Sequence, residues 1–359
     1  MAKINLLTIH YGQNKGSFLQ TYATIKLLRS FGHEVTVIDL VDKRYRVPGC
    51  LKCMRDILSY GNLLLMNRLR KKTFKPMTKV MSKLQSELLP AADYTIVGSD
   101  QTWNPAVTSS NAMAYFLDFV PETSKRIALS ASFGTAEWHQ KELIDKVSSE
   151  LAKFHKISVR EPSGVQICKN YFGVEADCIT DPTIAWSDYH DLSGNIEQRN
   201  EVFAFILNCT DEMTDIITTV MHDIQLPVCL AQKNLLARKM PVLWKHCKVH
   251  NWFGNIDVKG FLQRIGGAKL VITDSFHGIV FCMLYNKPFI SIPGANALRY
   301  ERIANLLQET GLSYRTVRTL EYYESKKDQL FTSVDWQPIM ELFEKRRAEF
   351  KDFIRCNIV

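Results

Sequence analysis

Within the stretch TDSFHGIVF, Thr273 to Phe281, an acid, a hydroxyl and an imidazole fall inside four residues, Asp274, Ser275 and His277, and a glycine follows. An imidazole exchanges protons near neutral pH, which suits general acid or base work. Asp274 would orient the ring or cap a helix. Gly278 would let a ligand come close to the backbone. The apolar run Lys269–Ile272 in front reads as a buried strand, and Ile279 to Leu284 reads as a helix. The three groups are therefore expected where a strand hands over to a helix. A lone histidine is more often structural, but this context favours a functional one.

Three further polar clusters follow strand-like runs. HYGQNKGSFLQTYA, His10 to Ala23, is a glycine-bearing loop that enters a helix, with Asn14, Lys15 and Gly16 at the entry. Free N–H groups at such an entry favour an anion or a polar sugar. The loop is neither a GxGxxG nor a P-loop, so it carries no dinucleotide or ATP signal. VGSDQTWNP, Val97 to Pro105, crowds Ser99, Asp100, Gln101, Trp103 and Asn104 into one loop. An aromatic beside amides and a carboxylate suits a sugar ring. The plainer reading is a tryptophan that anchors the loop, with Asp100 capping a turn. SVREPSG, Ser158 to Gly164, ends a strand on Arg160. An arginine there is shaped to grip a carboxylate or phosphate, or else it pairs with Glu161 or Asp181. Past the next strand, NALRYERIANLL offers Arg299 and Arg302 as a second anion clamp.

The elements that position these clusters alternate strand and helix. Ile4–His10, Glu34–Leu40, Tyr94–Gly98, Arg126–Ser130 and Ile157–Arg160 read as strands, with a helix over Ser17–Phe31 that Gly32 ends. The rhythm restarts after Asp181-Pro182, with strands over Val202–Leu207, Leu226–Leu230, Leu270–Thr273 and Pro288–Ile292. This is the βαβ pattern of parallel sheets covered on both faces, and ligands bind such sheets at the carboxyl ends of the strands. The pattern predicts an α/β chain of two domains, residues 1–190 and 191–335. An amphipathic helix over 336–359 would pack back on the first.

Length and composition agree. The 359 residues are 46% hydrophobic and 23% charged, ordinary values for a globular protein. A net charge of +8 suits an anionic substrate or a membrane surface better than nucleic acid, because the basic residues form no long run. Met1 to Tyr11 shows no secretory signal, and no stretch has the roughly 18 apolar residues of a membrane span. Nine scattered cysteines read as reduced thiols of a cytoplasmic protein. Cys50 and Cys53 form a CxxC, and His246, Cys247 and His250 cluster far downstream; the expectation is structural or surface roles, with no metal site. The segment Cys50–Lys79 mixes apolar residues with Arg68, Arg70, Lys71, Lys72 and Lys75. It reads as a solvated helix, or as one lying on an anionic membrane face.

Taken in order, GSFLQTYATIKLLRSFGHEVTVID, VGSDQTWNP, SVREPSG and TDSFHGIVFCMLYNKPFISI resemble the polysaccharide pyruvyl transferase family. The resemblance runs from the first loop to about residue 312. It implies two Rossmann-like domains facing each other across a cleft, in the manner of GT-B glycosyltransferases. The first would be the acceptor side and the second the donor side. It implies phosphoenolpyruvate as donor and no other cofactor. The acceptor would be a sugar of a cell-surface polysaccharide or of its lipid-linked precursor, and the product a cyclic pyruvate ketal. Matching to the family carries the donor-site arginine onto Arg160 and the acid/base histidine onto His277. The residues themselves add Asp274 to the catalytic set, Ser275, Phe276, Arg299 and Arg302 to the donor side, and Asn14, Lys15, Gly16, Ser99, Asp100, Gln101, Trp103 and Asn104 to the acceptor side. Some members read R-L-H where this chain has Ser275-Phe276-His277, so a cation is missing here, and Arg299 or Arg302 is expected to replace it. Ala297 stands where some members place a lysine. A nucleotide-sugar glycosyltransferase on the same architecture is the rival reading. A non-catalytic glycan- or anion-binding module is a third.

Overall fold

The computed structural model describes residues 1–45, 54–232, 248–249, 256–294 and 297–359. Its contacts divide the chain into two units. One is Met1–Trp186 together with Phe343–Val359, and the other is Ser187–Leu342.

The first unit is built on a six-stranded sheet in the order β2-β1-β3-β4-β5-β6. The strands are β1 (Lys3–Leu7), β2 (Glu34–Val37), β3 (Tyr94–Val97), β4 (Lys125–Ala131), β5 (Phe154–Val159) and β6 (Asp177–Cys178). Every pairing is parallel. The central β3, YTIV, is buried at all four residues, as a strand covered on both faces must be. Helix α1 (Lys15–Ser30) is buried on nearly every side rather than along one stripe. Its inward polar residues survive there because they are paired: the Gln20 amide donates to Thr8 Oγ1 and to the carbonyl of Ile9, both at 3.0 Å.

The second unit has a five-stranded parallel sheet in the order β11-β10-β7-β8-β9. Its strands are β7 (Val202–Ile206), β8 (Val228–Gln232), β9 (Lys248–Val249), β10 (Leu270–Thr273) and β11 (Phe289–Ser291). The two-residue strands β6 and β9 are additions to the expected set, too short to leave a hydrophobic run. The last helix spans Gln337–Asn357. From Phe343 onward it belongs with the first unit, where Phe343, Phe350 and Ile354 are buried and Arg347 Nε donates to the carbonyl of Ile184 at 3.0 Å. No helix among the described residues is long and apolar enough to cross a membrane.

Candidate active site

In the first unit, polar side chains collect at the carboxyl ends of β1, β3, β4 and β5. Asp100, just after β3, has φ 75°. That left-handed conformation is uncommon outside glycine but tolerated by aspartate. Its carboxylate accepts the hydroxyl of Ser17, near the start of α1, and the amide of Gln101. Ser130 has φ 55° where the pairing of β4 with β5 slips register. Positive φ and a strand irregularity together mark edges where function is often placed.

Arg160 directly follows β5 inside this cluster and is buried. Its Nε donates to Glu161 at 2.9 Å and its Nη1 to Asp181 at 2.6 Å. Glu161 also accepts Ser132 Oγ, and Asp181 accepts Ser99 Oγ and the hydroxyl and amide of Thr183. Burial works against the guanidinium charge, but Glu161, Asp181 and Asp100 outweigh it and hold Arg160 protonated more firmly than usual. The pairing with Glu161 and Asp181, the plainer of the two expectations, is present, and it makes Arg160 the centre of a buried ion cluster that ties β5 to the loops after β3 and β6.

Trp103 also departs from expectation. It is fully buried, its indole Nε1 donates to the carbonyl of Tyr115 at 2.9 Å, and Phe116 stacks on it at 5.5 Å. Its ring anchors the loop and offers no face to a sugar. Gln101 and Asn104 remain half-exposed and Asn14 exposed. Asn104 and Asn14 serve as helix caps, accepting the amides of Ala106 and Gly16. Lys15 is buried, with its ammonium donating to the carbonyl of Gln13 at 3.2 Å.

One group that the sequence reading left aside is His10. It is buried, and burial and the nearby Arg70 bring its pKa down to about 4. The neutral ring donates from Nε2 to the carbonyl of Ile38 at 3.1 Å and accepts Arg70 Nη1 on Nδ1 at 3.0 Å. Arg70 also pairs with Asp39. A histidine closing the apolar run of β1 was the visible signal; its partner, sixty residues on, was not.

In the second unit, the carboxyl ends of β7, β10 and β11 are laced together. Thr273 Oγ1 donates to the carbonyl of Phe205 at 2.7 Å and accepts the amide of Ser275 at 3.1 Å. The Asp274 carboxylate accepts the amides of Leu207 and Asn208 at 2.7 and 2.8 Å. Burial raises its pKa and those two bonds pull it back. Asp274 therefore fixes the loop after β7, and it is not the cap of the helix that follows. The cap is Ser275, whose hydroxyl accepts the amide of Gly278 at 3.2 Å.

The helix Phe276–Leu284 starts from that cap, and His277 sits in its first turn, 7% exposed. The Phe276 ring meets the imidazole edge-on at 5.2 Å. Arg302, on the helix Ala297–Glu309, lies over Phe276 with Cζ 5.7 Å from the ring centre. The structure thus brings Ser275, Phe276, His277 and Arg302 together. Arg299 lies on the same helix as Arg302, and its side chain is outside the described residues, as are Cys50, Cys53, His246, Cys247 and His250.

Gly278 packs against its own strand. A Cβ there would stand 2.7 Å from Thr273 Oγ1. Gly278→Ala is therefore expected to cost about 1–3 kcal/mol, read as a lower Tm. A glycine kept only for ligand approach would leave Tm unchanged.

Two parallel α/β sheets whose polar groups gather at the strand ends define a GT-B-like fold. A structure of S. aureus MnaA with UDP is similar over 97% of this chain and 91% of that one, at 11% identity and TM-score 0.50. UDP-GlcNAc 2-epimerase from Neisseria meningitidis, bound to UDP-GlcNAc, is similar over 99% of both chains, at 12% identity and TM-score 0.48. An alpha-glucosyltransferase in complex with UDP and DNA covers 98% of this chain and 99% of its own, at 10% identity and TM-score 0.48. At such identities the likeness concerns the fold alone. No curated protein matches the chain. The sequence profile of polysaccharide pyruvyl transferases matches residues 14–296, and the chain belongs to that family.

Proposed function

We propose that the protein transfers the pyruvyl group of phosphoenolpyruvate to two hydroxyls of one hexose, in a polysaccharide or its lipid-linked precursor, as a cyclic ketal. The observation that carries this reading is His277 in the first turn of the helix Phe276–Leu284, with Arg302 laid on the neighbouring Phe276, in a chain of this family.

The reaction divides into steps those groups can serve. A proton adds to the methylene carbon and leaves C2 cationic. A sugar hydroxyl bonds to C2 and gives up its proton. The bond from C2 to the phosphate oxygen breaks, the phosphate keeping the electron pair. The second hydroxyl bonds to C2, loses its proton and closes the ring. One proton enters and two leave, the surplus going to phosphate. His277 delivers the first proton or accepts one from a hydroxyl. Arg302, with Arg299 on the same helix, holds the phosphate and stabilises its departing charge. The amino end of the helix Phe276–Leu284 adds its N–H groups to that field. Gln101, Asn104 and Asn14 are the acceptor-side groups still exposed enough to meet a sugar. No other cofactor enters this scheme.

Thermal unfolding tests the donor assignment. Phosphoenolpyruvate is expected to raise Tm more than inorganic phosphate does, and Arg302→Met to reduce that difference. A rise with UDP-galactose or GDP-mannose, and none with phosphoenolpyruvate, would replace this reading with a glycosyltransferase.

A further inference from the structure

Residues 57–86 contain seven Lys and Arg and no Asp or Glu, in a chain whose net charge is +8. Six of the seven, Arg68, Lys71, Lys72, Lys75, Lys79 and Lys83, are exposed. The seventh, Arg70, is the buried partner of Asp39 and His10.

That burial fixes how helix α2 (Met54–Thr73) is turned. Leu63, Met66 and Arg70 face inward. At 3.6 residues per turn, Leu64, Arg68, Lys71 and Lys72 then line the opposite face, with Leu65 beside them. Leu64 is 45% exposed and Leu65 65%, the most exposed large apolar residue described away from the chain ends. A solvated helix has no need of two outward leucines next to three cations. The pair of features matches an anionic lipid surface, where apolar side chains enter the headgroup boundary and ammonium groups meet lipid phosphates. A nucleic acid would use the cations but not the leucines, and the described residues of this face present no aromatic for base stacking.

We propose that this face of α2 is a docking surface for an anionic membrane. The inference is independent of the pyruvyl donor and goes beyond the family's chemistry. It places the protein where a lipid-linked substrate would be met in two dimensions.

The full chain would be sedimented with vesicles of phosphatidylcholine alone, and with vesicles of phosphatidylcholine and phosphatidylglycerol in equal parts. Binding is expected only to the second, weakening as salt rises. The charge-reversed variant Lys71→Glu/Lys72→Glu should lose about tenfold or more in partitioning. Leu64→Ser/Leu65→Ser should lose several-fold with the charges intact, and both variants should stay folded at the assay temperature with only a small fall in Tm, since all four side chains are exposed. Equal binding of both variants and the wild type would overturn the proposal, as would no binding at all. Loss in the lysine variant only, matched by tight binding of an RNA oligonucleotide, would make the patch a polyanion site and overturn the lipid assignment.

Discussion

His277→Asn is expected to lower kcat by about 10²–10⁴-fold, the usual range for removing a positioned acid or base. The substitution should leave Tm close to that of the parent. The framework around His277 comes from other groups: Ser275 caps the helix, Asp274 binds the amides of Leu207 and Asn208, and Thr273 bonds to Phe205. Steady-state phosphate release and thermal unfolding check both. A variant with parental turnover and lowered Tm would make His277 a packing residue and move the proton transfer elsewhere.

The second large effect concerns stability. Arg160→Met removes the cation that Glu161 and Asp181 share and leaves buried carboxylates without their counter-charge. Breaking one side of such a buried cluster costs about 3–5 kcal/mol. A markedly lower unfolding temperature is expected, and Arg160→Met/Asp181→Asn should recover part of the loss. If Arg160 also held the donor phosphate, its removal would raise the donor KM as well as lower the unfolding temperature. An unchanged unfolding temperature would contradict the ion cluster.

How much could be read in advance differs from element to element. Parallel strands covered on both faces leave near-continuous apolar runs, so Leu270–Thr273 was read with its ends in place and Tyr94–Val97 to within a residue. Asp177–Cys178 and Lys248–Val249 left no such run, because strands that short are specified by their neighbours. In the site, the position of His277 at a strand-to-helix junction was legible from the change of period around it. The direction in which a loop side chain points was not. Trp103 reads equally as a sugar platform or a loop anchor until Phe116 and Phe133, brought from distant segments, close over it. Around Asp274 the sequence shows the junction but not the amides of Leu207 and Asn208, which come from another strand end, and around Gly278 it does not show how close Thr273 Oγ1 stands. Arg70 is the same lesson from the other side. Listed by type it joins the basic helix face, yet its partners Asp39 and His10 are some thirty and sixty residues away.

The most direct test of the central claim follows the donor carbon. The protein would be incubated with phosphoenolpyruvate isotopically labelled at its methylene carbon and with a panel of hexose and lipid-linked hexose acceptors, and phosphate and the labelled carbon would be measured together. Phosphate release is expected to be matched by conversion of the label to a methyl group attached through a ketal to the sugar. Intact phosphoenolpyruvate across the whole panel, with a sugar nucleotide consumed in its place, would contradict it.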